Sequence, residues 1–318
     1  MSTSKLDSEH ALVYLLGAGA SHPALPLARD VSSRMLHWGK QLSEIGKEPA
    51  VPNSPHRFEE MSAEMVSWGT EASAHYSVDT LAKKLFLTGK RDDLWRLKAS
   101  MSAFFMLEQA TGRAEQRYDS FFAAVLESPG NPPTLPDNVW ILTWNYDLQL
   151  ERAYYQYCPD ADGVYENITK CQRVVRLNGL LGRAINKGTG DEYNLDLSRD
   201  KEDVFARVAA EYWHLRAKEP TITFAFEKQD LEPQLRPLSS KKCTLVVVGY
   251  SFPFFNRRFD KLILQSFLEV DRVILQVLPE HAAGIEKRMS ALRPLPPFQI
   301  VDDRDQFYVP YGEVRGSR

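Results

Sequence analysis

The stretch Ala11–Arg29, ALVYLLGAGASHPALPLAR, decides the fold. An apolar run from Leu12 to Leu16 leads into Gly17-Ala18-Gly19-Ala20-Ser21, and an amphipathic segment follows. That order predicts a buried strand, a glycine turn and then a helix start. Glycine in such a turn lets the main chain approach a ligand, and the N–H groups of a helix start favour an anion such as a pyrophosphate. A plain tight turn between strand and helix would carry the same residues.

Outward from the turn, Val31, Met35, Trp38, Leu42 and Ile45 recur at spacings of four, three, four and three, which is one face of a helix. Three prolines between Pro49 and Pro55 then predict a loop. Helices are predicted over Ser77–Leu87, with Gly89 as C-cap, over Asp92–Gln109 and over Tyr118–Leu126. Together they make a helical insertion at 46–130, in which Met101, Phe104, Phe105 and Met106 read as core. Asn131-Pro132-Pro133-Thr134-Leu135-Pro136 reads as a connection.

Val139–Thr143 is a second predicted strand, followed by Trp144-Asn145-Tyr146-Asp147 and a helix over Leu148–Tyr157. Asp147 stands where an N-cap would, a role worth ~1 kcal/mol. A third strand, Arg173–Leu177, ends at Asn178-Gly179. Beyond it come a glycine-rich run to Gly190, an amphipathic helix over Ser198–Leu215 and a strand-like alternation over Thr221–Phe226. The region 180–240 reads as a second, variable insertion. Thr244–Val248 is a β-branched strand entering Gly249-Tyr250-Ser251-Phe252-Pro253. A helix (Asn256–Leu268), a strand (Arg272–Leu278), a helix (His281–Leu292) and a short strand (Phe298–Val301) complete the chain. Strands alternating with helices predict an α/β, Rossmann-like domain over 1–318, with a parallel sheet covered on both faces. Ligands of such sheets bind beyond the C-terminal ends of the strands. Four strands here end in GAGAS, TWNYD, RLNG and GYSFP.

Composition narrows the function classes. With 318 residues, 43% hydrophobic and 25% charged, the chain has the make-up of a globular domain. A net charge of −3 gives no general attraction to nucleic acid or anionic membranes. The start, MSTSKLDSEH, lacks the apolar core of a signal peptide, and no later run is long enough for a bilayer. Three cysteines, Cys158, Cys171 and Cys243, form no C-x-x-C pair, against both a disulfide framework and a four-cysteine zinc module. None of the seven histidines pairs at metal-ligand spacing with a third partner, so no metal is expected. A soluble, reduced, cytoplasmic protein is expected.

The four turns, in this order, resemble those of the sirtuin superfamily, specifically its divergent, zinc-free bacterial branch. Gly17-Ala18-Gly19-Ala20-Ser21 with Pro26 is similar to the family's first phosphate-binding loop. Thr143-Trp144-Asn145-Tyr146-Asp147 looks like its T-x-N-x-D element, and Leu177-Asn178-Gly179 falls where the family has L-H-G. Gly249-Tyr250-Ser251 resembles the late turn that holds the adenosine end of NAD. The resemblance implies NAD hydrolysis with release of nicotinamide, leaving ADP-ribose, in bacterial defence against phage. It also implies assembly as a homo-oligomer or with a partner defence protein.

By that resemblance, the N–H groups of Ala18 to Ser21 would hold the pyrophosphate. Asn145 would position the ribose or the attacking water, Asp147 would accept from the nicotinamide amide, and Gly249 and Ser251 would contact the adenosine ribose. The plain alternatives are a turn-forming Asn145 and a Ser251 that merely starts a helix. The ordinary dinucleotide fingerprint does not fit, since its third position is His22 and no acidic residue ends a second strand about 20 residues on. The departure from the family is Asn178, which stands where relatives have a histidine base. Asparagine accepts no proton at neutral pH but hydrogen-bonds the same hydroxyl. Loss of a general base typically costs ~10²–10⁴ in rate. Nicotinamide leaves a cation as a neutral base without help, so hydrolysis survives such a loss better than deacylation does. Two readings remain: a hydrolase, and a sensor that binds NAD or ADP-ribose without turnover. A deacylase is disfavoured.

Overall fold

The computed structural model describes residues 10–45, 55–127, 133–157, 168, 171–181, 201–218, 220–227, 231–310 and 312–314. Most of the proline-rich loop before Pro55, the start of the connection at 131–132, the glycine-rich run over 182–190 and Cys158 lie outside the described residues. The first half of the chain carries β1 (His10–Leu16), α1 (Val31–Ile45), α2 (Pro55–Ser73), α3 (Val78–Leu87), α4 (Arg91–Thr111) and α5 (Gln116–Val125). Next come β2 (Val139–Thr143), α6 (Gln149–Tyr155), β3 (Val174–Arg176), α7 (Lys201–Ala217) and α8 (Glu232–Leu235). The chain ends with β4 (Lys242–Val248), α9 (Arg257–Gln265), β5 (Glu269–Gln276), α10 (Pro279–Ser290) and β6 (Phe298–Val301). No helix among the described residues is long and apolar enough to cross a membrane.

The six strands form one parallel sheet in the order β3-β2-β1-β4-β5-β6. This is the doubly wound, Rossmann-like arrangement, whose strand order reverses between β1 and β4. The apolar runs are continuous because both faces are covered. In β1, Ala11, Val13 and Leu15 pack in one core, while Leu12, Tyr14 and Leu16 pack in another on the opposite face. Each such side chain, withdrawn from water, contributes ~1.5–3 kcal/mol before entropy is counted. Leu16 pairs in register with Thr143 on one side and Val248 on the other, so the three central strands end level. Their turns therefore meet.

A third core lies beside the sheet. It joins α1–α4 to α7 through Met35, Phe58, Met65, Phe104 and Tyr212. α1 and parts of the two insertions thus form one helical layer. α2, over 55–73, is a helix that the sequence reading above does not predict. Its buried residues Phe58, Met61, Met65, Trp68 and Ala72 keep helical spacing, but Ser, Glu and Gly intervene. It crosses α1 closely: a Cβ on Gly39 would stand 2.6 Å from Val66 Cγ2, and one on Gly69 would stand 2.9 Å from Leu36 Cγ. α5 behaves differently from its neighbours. Its Tyr118, Phe121, Phe122 and Val125 cover the sheet rather than the helical layer.

The helix ends follow local rules. Ser77 caps α3 by accepting from the Thr80 N–H at 3.4 Å. Gly89, at φ +72°, closes the same helix as predicted, with the Lys90 N–H on the Leu85 carbonyl at 3.0 Å. The expected strand over Thr221–Phe226 is corrected: the segment has no place in the sheet and ends in a short 3-10 turn, Ala225–Glu227. Its alternation arises because Ile222 and Phe224 enter the helical core while Thr221 and Thr223 face the loop after β3.

Candidate functional site at the strand ends

The glycines of the first and last turns face one another. The Gly17 N–H donates to the Val248 carbonyl, and the Gly19 N–H to the Gly249 carbonyl, each at 3.0 Å. Gly249 sits at φ +60°, and a Cβ there would lie 2.4 Å from the Ala20 nitrogen. A Cβ on Gly17 would lie 2.6 Å from Tyr250 Cα, and one on Gly19 would lie 2.7 Å from Gly249 Cα. Backbone therefore packs on backbone, and these glycines allow one loop to approach the other. The remaining bonds are internal too, from Ala20 to the Gly17 carbonyl (2.8 Å) and from Ser21 to the Ala18 carbonyl (3.2 Å). This corrects the expectation that the N–H groups from Ala18 to Ser21 stand ready for a pyrophosphate. Those of Gly19, Ala20 and Ser21 are already bonded.

Ser21 is the hub beneath the loop. Its hydroxyl donates to Asp147 Oδ2 at 2.8 Å and lies 3.1 Å from the Tyr118 hydroxyl. It also accepts from Asn145 Nδ2 at 3.1 Å, and the same amide donates to the Gly17 carbonyl at 3.0 Å. A serine hydroxyl has one proton and two lone pairs, so these three bonds saturate it. Asp147 accepts the Gln149 N–H on Oδ1 at 2.9 Å, but the N-cap of α6 is Leu148, so Asp147 stands one residue before the capping position expected for it. Burial pushes the Asp147 carboxyl above the ordinary carboxylate range, and the bonds from Gln149 and Ser21 and the nearby Arg176 oppose that shift. Asn145 and Asp147 come together, but as braces of the loop.

Asn178 is different. Its Nδ2 donates to the Trp144 carbonyl at 2.8 Å, which fixes the amide orientation and leaves Oδ1 buried with no partner. Its own carbonyl accepts from the Thr223 N–H at 2.8 Å. Gly179, at φ +77°, lies so close to Thr221 that a Cβ would meet its carbonyl oxygen at 2.1 Å. The Leu181 N–H reaches the Tyr146 carbonyl at 2.9 Å. The turn after β3 is thus held on both sides. An unpaired buried carbonyl oxygen carries a desolvation cost of ~1–3 kcal/mol, which a donating ligand removes.

At the far side, the Tyr250 ring turns inward and stacks on Trp144, with centroids 5.6 Å apart and planes 19° apart. Its hydroxyl donates to Asp260 Oδ1 at 2.8 Å and accepts from Asn256 Nδ2 at 3.1 Å. Burial pushes the Asp260 carboxyl up to about 8. Ser251 is exposed, and its carbonyl accepts from Arg288 Nε at 2.9 Å. Pro26 is half-buried beyond the cis His22-Pro23 peptide. Among the described residues, no group of three metal-ligating side chains gathers.

Three side chains at the site were not singled out from the sequence. Arg117 donates to the Gly19 carbonyl at 3.0 Å, to that of Ala20 at 3.1 Å, and to that of His22. It is held by Glu115 at 2.9 Å. Tyr118, the next residue, supplies the hydroxyl on Ser21. Arg176, at the end of β3, pairs with the fully buried Glu151 and donates to the Asp147 carbonyl at 3.3 Å. Arg117 and Tyr118 stand almost a hundred positions from the loop they hold, and no spacing rule links them. A signal was available for Arg176, since it ends a strand beside the predicted site.

Two surface hollows lie elsewhere. One of about 840 Å³ is set between α8 and α9, and one of about 550 Å³ beside Trp38 and Phe205. Neither is lined by a residue of the four turns. No protein-family model matches the chain, and no curated protein matches it. By strand order and connection, the chain is a doubly wound α/β protein of Rossmann-like architecture.

Proposed function

We propose that the chain binds an ADP-ribose-containing dinucleotide, NAD, at the reversal point between β1 and β4, and hydrolyses its nicotinamide–ribose bond. The observation that carries the reading is the unpaired, buried Oδ1 of Asn178, held beside the Asn145 loop where a ribose hydroxyl would donate to it. The dinucleotide lies over the half-buried main chain of Ala18, Gly19 and Gly249, next to the exposed Ser251. Cleavage proceeds through an oxocarbenium-like state, water replaces nicotinamide at the anomeric carbon, and nicotinamide departs neutral. The protein's part is to orient the ribose and admit one water. With no base at position 178, turnover is slow. A role in bacterial anti-phage defence, with the helical layer meeting a second copy or a partner defence protein, belongs to the same proposal.

A second reading, binding of NAD or ADP-ribose without turnover, is favoured by a specific observation. Both protons of the Asn145 amide and both oxygens of Asp147 are already engaged within the protein. Nicotinamide release from NAD by the purified chain separates the two. Release that disappears in Asn145→Ala and rises in Asn178→His supports the hydrolase. Calorimetric NAD binding with no product selects the sensor, and absence of both binding and release overturns the proposal.

A further inference from the structure

The hollow between α8 and α9 is basic in a chain whose acids outnumber its lysines and arginines, 42 to 39. Arg236, Arg258 and Lys261 all border it, against a single acid, Glu232. None of the three cations has an acidic partner among the described residues. Leu235 and Leu262 supply apolar wall, and Ser239 and Gln265 add hydrogen-bonding groups. Three exposed cations against one acid give the hollow a net positive charge that favours an anion. A neighbour extends the same field. Lys83 on α3 rests its ammonium 4.6 Å from the Phe226 ring centroid, and its pKa is lowered by burial and by the charge of Arg258.

We propose that this hollow is a binding site for a small phosphate-bearing ligand of nucleotide size, with Arg236, Arg258 and Lys261 gripping the phosphates. A volume of about 840 Å³ suits a ligand of that size and exceeds what an isolated phosphate fills. Guanidinium groups match phosphate oxygens two at a time, and Lys261 adds a point charge. The apolar wall takes the part of the ligand that carries no charge. The site is separate from the four turns and stands whether or not NAD is bound there.

The test uses the full chain at low ionic strength, titrated calorimetrically with pyrophosphate and with ADP. Both are expected to bind, and the double variant Arg236→Gln/Lys261→Gln weakens them about tenfold or more. Both side chains are exposed, so the variant's melting temperature without ligand stays at the wild-type value. Asn145→Ala, which alters the turns and not the hollow, leaves pyrophosphate binding in place. Three results overturn the site: no binding of either probe, equal binding by the double variant, or loss of binding in Asn145→Ala alone. Tighter binding of an oligothymidylate that neither probe displaces also overturns it, in favour of a nucleic-acid strand. Nicotinamide release unchanged in the double variant is expected, and its absence from all variants would count against the hydrolase reading alone.

Discussion

The turns after β1 and β4 and the turn after β3 solve opposite problems at the same edge of the sheet. In the first pair, main chain lies on main chain, the Gly19 N–H already has a carbonyl, and Gly17, Gly19 and Gly249 leave no room for a Cβ. In the turn after β3, the backbone is equally fixed, yet Asn178 keeps an acceptor unpaired inside the protein. The first region is finished without a ligand and the second is not. That difference gives the glycine turns their rigidity and is why the proposed recognition is placed at Asn178.

The strongest way to break the comparison is to crowd the glycine turns. Gly249→Ala combines a left-handed backbone with a contact 2.4 Å from the Ala20 nitrogen, and is expected to cost about 3 kcal/mol or more in urea unfolding. Gly89→Ala serves as its control, since φ is +72° but nothing lies within 4 Å, and a loss of about 1 kcal/mol is expected. Equal losses would show that the loop contact contributes nothing. Ser21→Ala comes next. It removes the donor to Asp147 and the acceptor for Asn145 together, and should lower unfolding stability by about 2 kcal/mol.

A pH series sharpens the role of the ground beneath Tyr250. Asp260 has its folded pKa raised to about 8 from an unfolded value near that of a free carboxylate. Between about pH 4 and pH 8 the folded form binds the extra proton, so stability falls as pH rises across that window and levels off above it. Asp260→Asn has no proton to lose and should flatten this part of the profile, while Asn still accepts from the Tyr250 hydroxyl. A fall of the same slope in the variant would assign it to another group. Smallest of all, Asn178→Ala is expected to change stability little, because one bond to Trp144 is lost while an unpaired oxygen is removed as well. Its effect should instead appear in NAD binding.

The sheet was legible because its central strands are buried on both faces and read as unbroken apolar runs, while the partly exposed edge strand β6 is short and mostly apolar. Val139–Thr143 and Phe298–Val301 appear within the bounds their residues suggest. The four turns were legible because glycine and asparagine mark strand ends. What escaped was whatever depends on approach between distant segments. Nothing local reveals that Gly19 meets Gly249, or that Arg117 and Tyr118 of α5 reach the first loop. Thr221–Phe226 misled for the same reason: its alternation is genuine, but it has no strand to pair with and packs into the helical core instead.

The most direct test of a ligand at the reversal point is hydrogen–deuterium exchange of the full chain with and without NAD. Protection is expected in peptides covering 17–22, 143–147, 177–181 and 249–252 together, and it should weaken at all four in Asn178→Ala. Protection confined to the helical layer, or none at NAD concentrations that saturate binding, would contradict the account.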